Sequence, residues 1–195
     1  MPLLWRLGIM VVIEVDDRLS YVEKRLGNLS DKAPKVVCKA INETAKWARK
    51  ELAKEAQKVY LVKSGKFNKS MKIENARYSN LEATIKSEGE TMELFAFKYS
   101  SGKKATKAQV LKSGSLKKLE KSGIKAFVAK FASGHKTIAQ RQGEDRLPIK
   151  VLFSNSIPKM LGNEKRVYGI VEPRIESELD KRIEKHIKKV LEGYE

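Results

Sequence analysis

The sequence of 195 residues is poor in the residue types that build reactive or membrane-spanning structures. It has one cysteine, Cys38, and two histidines. One thiol excludes a disulfide within the chain and a thiolate metal cluster. No apolar run reaches the about 20 residues that cross a bilayer, so we expect no membrane contact. The apolar residues 1–13 are followed at once by acidic residues, which argues against a secretory signal, and both Met1 and Met10 are possible starts.

The few side chains that could support catalysis are scattered along the sequence. His135 lies in a turn without a serine or cysteine partner, and His186 lies in a lysine-rich helix end. Glu144 and Asp145 are adjacent but lack a third ligand for a metal ion. We therefore predict no enzyme activity, no catalytic residue, no metal site and no cofactor.

Positive charge is abundant, with 41 Lys and Arg against 24 Asp and Glu and a net charge of +17. This field favours anionic partners such as nucleic acid or an acidic protein. The segment Ser100–Gly123 has little apolar content and one acid, which predicts a long, mobile, basic loop. Its candidate DNA or anion contacts are Lys103, Lys104, Lys107, Lys112, Lys117, Lys118 and Lys121. The alternative is a solvated loop that only confers solubility.

Apolar periodicity predicts two long helices and one short helix. Acidic residues, then Leu19, Val22 and Leu26, indicate a short amphipathic helix. A long helix follows, with Ser30 or Asp31 as its cap, Pro34 in its first turn and its end near Tyr60. Apolar residues four apart predict a C-terminal helix over 164–195, which Pro173 should kink or divide.

Alternating apolar residues predict antiparallel strands between these helices. Strands over 73–78, 81–86 and 92–99 should form a meander, after one helical turn at Phe67. Further strands over 124–132, 135–141 and 146–153 should follow, with Pro148 confining the last to an edge or a bulge. Phe127 and Phe131 should belong to the core. The sequence thus predicts one α+β domain over 1–195, in which residues 1–15 form an N-terminal arm or strand.

A resemblance to a known family is carried by the second half of the chain. The stretch contains Gly134-His135, Ile138 to Arg141, Gly143, Arg146-Leu147-Pro148-Ile149, Leu152-Phe153, Ser156-Ile157-Pro158 and Met160 to Asn163. It resembles the phage minor tail protein Z family of prophage tail-completion proteins. Ala33-Pro34 and the run from Ala40 to Tyr60 are similar to the family's opening helix, and the resemblance extends from about Met10 onward. Ala139 stands where the family has a large aromatic residue, and Ser154-Asn155 replace the family's Gly-Pro.

The resemblance implies a structural virion protein without catalysis. It would finish the tail at its head-proximal end, as a homo-oligomeric ring among other tail and neck proteins, with a possible contact to DNA. It would reside in the virion tail, and in the host cytoplasm during assembly or as a prophage product. A sequence-independent nucleic-acid-binding protein is the alternative. The candidate subunit contacts or family-motif residues are Arg141, Arg146, Leu147, Pro148, Ile149, Phe153, Pro158, Leu161 and Gly162.

Overall fold

The computed structural model describes residues 8–14, 18–62, 65–102 and 105–193. Two long helices and many short strands form an α+β fold, as predicted. The helices are α1 (Arg18–Leu26), α2 (Ala33–Val59), α3 (Lys66–Ser70), α4 (Ile157–Leu161) and α5 (Tyr168–Leu191). Within the described ranges, no helix is both long and apolar enough to cross a membrane.

Thirteen strands, most of them short, lie in the described part of the chain. In order they are β1 (Ile9–Glu14), β2 (Met71–Glu74), β3 (Glu82–Ser87), β4 (Thr91–Glu93), β5 (Lys98–Ser101), β6 (Thr106–Gln109), β7 (Lys117–Lys118), β8 (Glu120–Lys121), β9 (Ile124–Lys125), β10 (Phe127–Lys130), β11 (Lys136–Arg141), β12 (Ile149–Val151) and β13 (Phe153–Ser156).

The two long helices pack along each other, as their apolar stripes require. Val37, Ile41 and Leu52 of α2 are almost fully buried, as are Leu179 and Ile183 of α5. Ion pairs border this packed stripe and join α2 to α5. Helix α1 lies beside α5, where Arg18 pairs with Asp180 at 2.8 Å and the Tyr21 hydroxyl donates to Glu184. The core is therefore built mainly on the helix pair.

The start of α2 differs from the prediction. Ser30 and Asp31 do not cap the helix, because they lie inside a 3-10 helix, Gly27–Lys32, that runs directly into α2. Lys32 occupies the cap position but its side chain does not cap the helix, and the Ala33 N–H donates to the Ser30 carbonyl. The 3-10 turn thus satisfies a backbone group that a polar cap would otherwise bind. Pro34 does lie in the first turn, as predicted.

The predicted meander after α3 is wrong in its third strand. Strand β3 pairs with β2 on one side, but its other neighbour is the N-terminal strand β1. The stretch predicted as a strand over 92–99 is divided by a 3-10 turn, Leu94–Ala96, and β4 pairs with β13 instead. A true meander occurs later, where β10, β11 and β12 pair in chain order. Pro148 lies just before β12, an edge strand, as predicted.

The segment predicted as a basic loop contains strands. Strand β6 pairs with β5 and β7, and β8 pairs with β9. Thr106 and Ala108 are buried, and Val110, Leu111 and Leu119 pack against the core. These few apolar anchors, with backbone pairing, order a segment whose composition alone predicts disorder. Lys103 and Lys104 lie outside the described residues.

The C-terminal segment folds as two helices joined by a turn. Helix α4 begins at Ile157, directly after its cap residue Ser156. The Ser156 hydroxyl accepts a hydrogen bond from the Lys159 N–H. The predicted helix over 164–195 begins later, at Tyr168. Pro173 lies within α5 and does not divide it.

Candidate assembly surfaces

Among the residues that the structure describes, each of the two histidines contacts a carboxylate. Across the described ranges, no group of three His, Cys, Asp or Glu residues is arranged to hold a metal ion. His135 contacts Glu93 at 3.0 Å on an exposed surface. His186 is buried against Glu43 at the helix pair, with 3.2 Å between Nε2 and Oε1. The more informative features are three exposed faces of the sheets.

The first is the lysine face, formed by Lys98, Lys107 and Lys118 on β5, β6 and β7. Ser100 lies opposite Lys107, and Lys107 lies opposite Lys118, so their side chains project from one side of the sheet. The other side carries the buried Thr106 and Ala108. No ion pair involves these three lysines in the part of the chain that the structure describes. Like charges directly opposite each other repel, so this face favours an anion.

The remaining predicted lysines of the described residues lie outside this face. Lys117 lies opposite Ala108, and Lys121 lies opposite Ile124 on the β8–β9 pair. Lys112 lies in the exposed turn after β6, where its N–H donates to the Val59 carbonyl. Residues 98–150 contain fourteen Lys and Arg and three Asp and Glu, so they carry +11 of the net +17. The positive charge is therefore concentrated in the strands between the helices.

The second is the aromatic face of the β10–β11–β12 sheet. Within the strands it consists of Phe127, Ala129, Thr137, Ala139 and Val151, while Phe131 follows directly after β10 and Phe153 is the first residue of β13. Thr137 and Ala139 are fully buried, whereas Phe127, Ala129 and Val151 are half-buried. Phe127 lies opposite Ala139, which lies opposite Val151, so these three side chains project from the same side. Val128 and Ile138 project from the other side and contact the core. Phe131 is 37% exposed and Phe153 is 51% exposed.

The aromatic face corrects the prediction that Phe127 and Phe131 belong to the core. Neither packs into the core cluster. The Arg141 guanidinium lies 5.9 Å from the Phe127 ring centre, and the His135 ring stacks on Phe131. Alternation along β10 sends Val128, rather than the phenylalanines, to the core side.

The other predicted contact residues divide into two groups. Arg141, Arg146 and Leu147 are exposed near the turn between β11 and β12, with Leu147 67% exposed. Pro148 follows through a cis peptide bond, and Ile149 is half-buried in β12. In contrast, Pro158 and Leu161 are buried in α4 and therefore serve the chain's own packing. Gly162 lies against Ile9, where an added Cβ would approach Ile9 Cδ1 to 3.3 Å.

The third surface, which the sequence analysis missed, is the outer face of the β1–β3–β2 sheet. Its apolar residues are Met10 and Val12, and it carries both charges, since Glu14, Glu74, Glu82, Lys72 and Lys86 lie on the same side. Lys86 pairs with Glu74 at 2.7 Å. Met10 is 63% exposed and Val12 is 41% exposed, whereas the alternate residues Val11 and Ile13 are buried. Glu14 lies opposite Glu82. Apolar residues on both sides of a strand are typical of a strand covered on both faces, a signal that the sequence already held.

Comparison with known proteins gives one match. The family described as prophage minor tail protein Z matches residues 21–194, which is nearly the whole chain. No curated protein matches. No solved structure matches. The family match spans the helices, the lysine face and the aromatic face together. The chain belongs to the prophage minor tail protein Z family, and it is a minor tail component of a prophage.

Proposed function

We propose that the chain completes the tail at its head-proximal end, where copies of it form a ring around the path of the DNA. Family membership supports a structural role in the tail with other tail proteins as partners. The exposed Phe131 and Phe153, and the exposed Met10 and Val12 of β1, support contacts between protein subunits, because grouped exposed apolar side chains mark interaction sites. The work of the protein is assembly, without a chemical step.

The concentration of positive charge in residues 98–150 is the observation that supports a contact with DNA. Lys98, Lys107 and Lys118 project from one sheet face without carboxylate partners in the described ranges. Lysines in such a row neutralise phosphates without reading bases. The contact is therefore independent of sequence and weakens steeply as salt rises.

The position in the tail is tested by deleting the gene from the prophage and by labelling the chain in finished particles. We expect tails that fail to join filled heads, and a label at the head-proximal end in electron micrographs. A label at the distal tip, or normal particles without the gene, would contradict the proposal.

The DNA contact is tested by replacing Lys98, Lys107 and Lys118 with Gln. The matched control replaces Lys159, Lys165 and Lys181, which are exposed outside residues 98–150. We expect tails to assemble in both variants, but DNA retention or ejection should fail only in the first. Each lost phosphate contact should also reduce the salt slope of binding to duplex DNA by about 0.9. Equal behaviour of the two variants would remove the DNA contact from the proposal.

A further inference from the structure

We propose that a pocket beside strand β6 binds a large aliphatic side chain from an acidic segment of another tail protein. This pocket, the β6 pocket, has a volume of about 260 Å³, and its lining includes Leu94, Ala108, Val110, Leu111, Lys117 and Leu119. It opens to solvent at the exposed residues 114–117. A partner bound here is separate from the proposed DNA contact and from the position of the chain in the tail.

Five apolar side chains form most of the β6 pocket. Leu94 and Ala108 are buried, whereas Val110, Leu111 and Leu119 are half-buried and leave apolar surface open to solvent. An apolar cavity of about 150 Å³ is large enough for a benzene molecule. The β6 pocket therefore has room for one leucine or isoleucine side chain, and binding is favoured because the apolar surface of that side chain leaves water.

Hydrogen bonds fix the walls of the β6 pocket before any partner binds. The Leu61 N–H donates to the Val110 carbonyl at 2.8 Å, which ties one wall to the residues after α2. The Gln109 side chain donates to the carbonyls of Leu111 at 3.0 Å and Gly114 at 2.6 Å, which holds the turn beside the opening. Because the pocket is already formed, a ligand orders little of the chain when it binds.

The charged side chains around the β6 pocket indicate the charge of the partner. Residues 106–119 contain four lysines and no acid. Among the described residues of the lining, Lys117 alone is charged, and it is exposed. Lys117 lies opposite Ala108, whereas Lys118 lies opposite Lys107. Lys117 therefore projects from the side of the sheet that faces the pocket, and Lys118 projects from the lysine face.

The acids nearest to the β6 pocket in sequence point elsewhere. The carboxylate of Glu93, the residue before Leu94, contacts His135 at 3.0 Å. Glu120 follows Leu119 and projects to the other side of the strand, where it lies opposite Lys125. A segment that inserts an aliphatic side chain meets Lys117 at the opening, which favours Asp and Glu beside that side chain. Family membership supports other tail proteins as the source of such a segment.

The test measures binding of three synthetic peptides to the purified full chain. The first peptide surrounds one leucine with Asp and Glu, the second has alanine in place of the leucine, and the third has Asn and Gln in place of the acids. We expect the first peptide to bind at least about tenfold more tightly than either of the others in fluorescence anisotropy. It should also shift the methyl NMR signals of Val110, Leu111 and Leu119. Equal binding of the first two peptides would overturn the proposal, because lysines alone would then account for the binding.

Lys117→Glu and Lys118→Glu form a matched pair, because these exposed neighbours carry the same charge on opposite sides of one sheet. Lys117→Glu should weaken binding of the first peptide about fivefold. Lys118→Glu should weaken binding of duplex DNA more than binding of the peptide. Thermal melting of both variants checks that they fold.

The outcomes separate the β6 pocket from the DNA contact. An equal effect of the two variants on the peptide would overturn the pocket, as would sedimentation showing that the chain associates with itself through Lys117 without any peptide. Binding of duplex DNA that is insensitive to Lys118→Glu would instead contradict only the DNA contact.

Discussion

Glu43 of α2 is the side chain that ties the two long helices together most extensively. Its carboxylate contacts Arg182 at 2.7 Å, Lys185 at 3.2 Å and His186 at 3.2 Å, all on α5. Burial alone would raise the pKa of Glu43, but hydrogen bonds from Lys185 and Arg182 outweigh burial and lower it below the usual 4.5. Glu51, about two turns further along α2, has a lowered pKa for the same reason, through Arg174 and Lys54.

Replacement of Glu43 by Gln should make the melting temperature less sensitive to a fall in pH. A carboxylate with a lowered pKa stabilises the fold fully above its unfolded-state pKa, and this stabilisation is lost as pH falls through the folded-state pKa. The melting temperature of the wild type should therefore fall more steeply below pH 4.5 than that of the variant. The control is Glu176→Gln on the exposed side of α5. Parallel pH profiles for wild type and Glu43→Gln would contradict the role of Glu43.

Asn42 connects α2 to the loop between β2 and β3. Its side chain accepts from the Ala76 N–H at 2.8 Å and donates to the Ala76 carbonyl at 3.1 Å. Asn42→Ala would leave both backbone groups without these bonds, at a cost of about 1–3 kcal/mol in the free energy of unfolding. Urea denaturation measures this loss. Asn68→Ala, at an exposed position, should change stability by less, and equal losses would contradict the specific role of Asn42.

At the scale of whole elements, the first turn of α5 depends on Gly169. An added Cβ at this position would approach the Glu164 carbonyl oxygen to 2.4 Å, closer than such atoms pack. Gly169→Ala should therefore displace the turn that leads into the helix, and should cost about 1–3 kcal/mol. Gly143→Ala, at a position with open space around it, is the matched control and should leave the melting temperature nearly unchanged. A Gly169→Ala protein as stable as the control would contradict this account.

Helices were predictable because their signal is local. Residues three and four apart in α2 and α5 lie on one face whatever the rest of the chain does, so the sequence predicts the apolar stripe directly. The start of α2 was not predictable. Ser30 and Asp31 are residue types that commonly cap helices, but here both lie inside the 3-10 helix that leads into α2.

Strand partners were less predictable because pairing joins distant segments. Nothing near β3 in sequence reveals that β1, about seventy residues earlier, occupies its free edge. The same limit explains the segment after Ser100, because part of its backbone pairs with the distant residues Val59 and Leu61 at the end of α2 and just beyond it.

For the candidate surfaces, the sequence indicated many of the residues but not which of them lie side by side. The lysines and the Arg141–Phe153 motif were evident from composition and from the family resemblance. Their grouping was not, because the lysine face depends on which residues of β5, β6 and β7 lie opposite each other. Glu14 and Glu82 lie far apart in sequence and become neighbours only through the β1–β3 register.

Across the whole molecule, burial is distributed unevenly. Most fully buried side chains belong to α2, α5 and β3, whereas β7, β8 and the turn at residues 112–115 are exposed. Local opening is easiest where few apolar contacts must break. Hydrogen exchange followed by mass spectrometry should therefore show the slowest amides in α2 and the fastest among residues 112–123. Uniform protection along the described chain would contradict this expectation.

The strands that carry Lys98, Lys107 and Lys118 have one more consequence. Neighbouring strands place the backbones of these lysines about 4.8 Å apart, whereas their four-carbon side chains stay flexible. When such a row meets a polyanion, the ordering cost falls mainly on the lysine side chains. In the DNA contact that we propose, grip on a moving genome would depend mainly on ionic strength, so the same row of lysines would hold a phosphate backbone and let it slide.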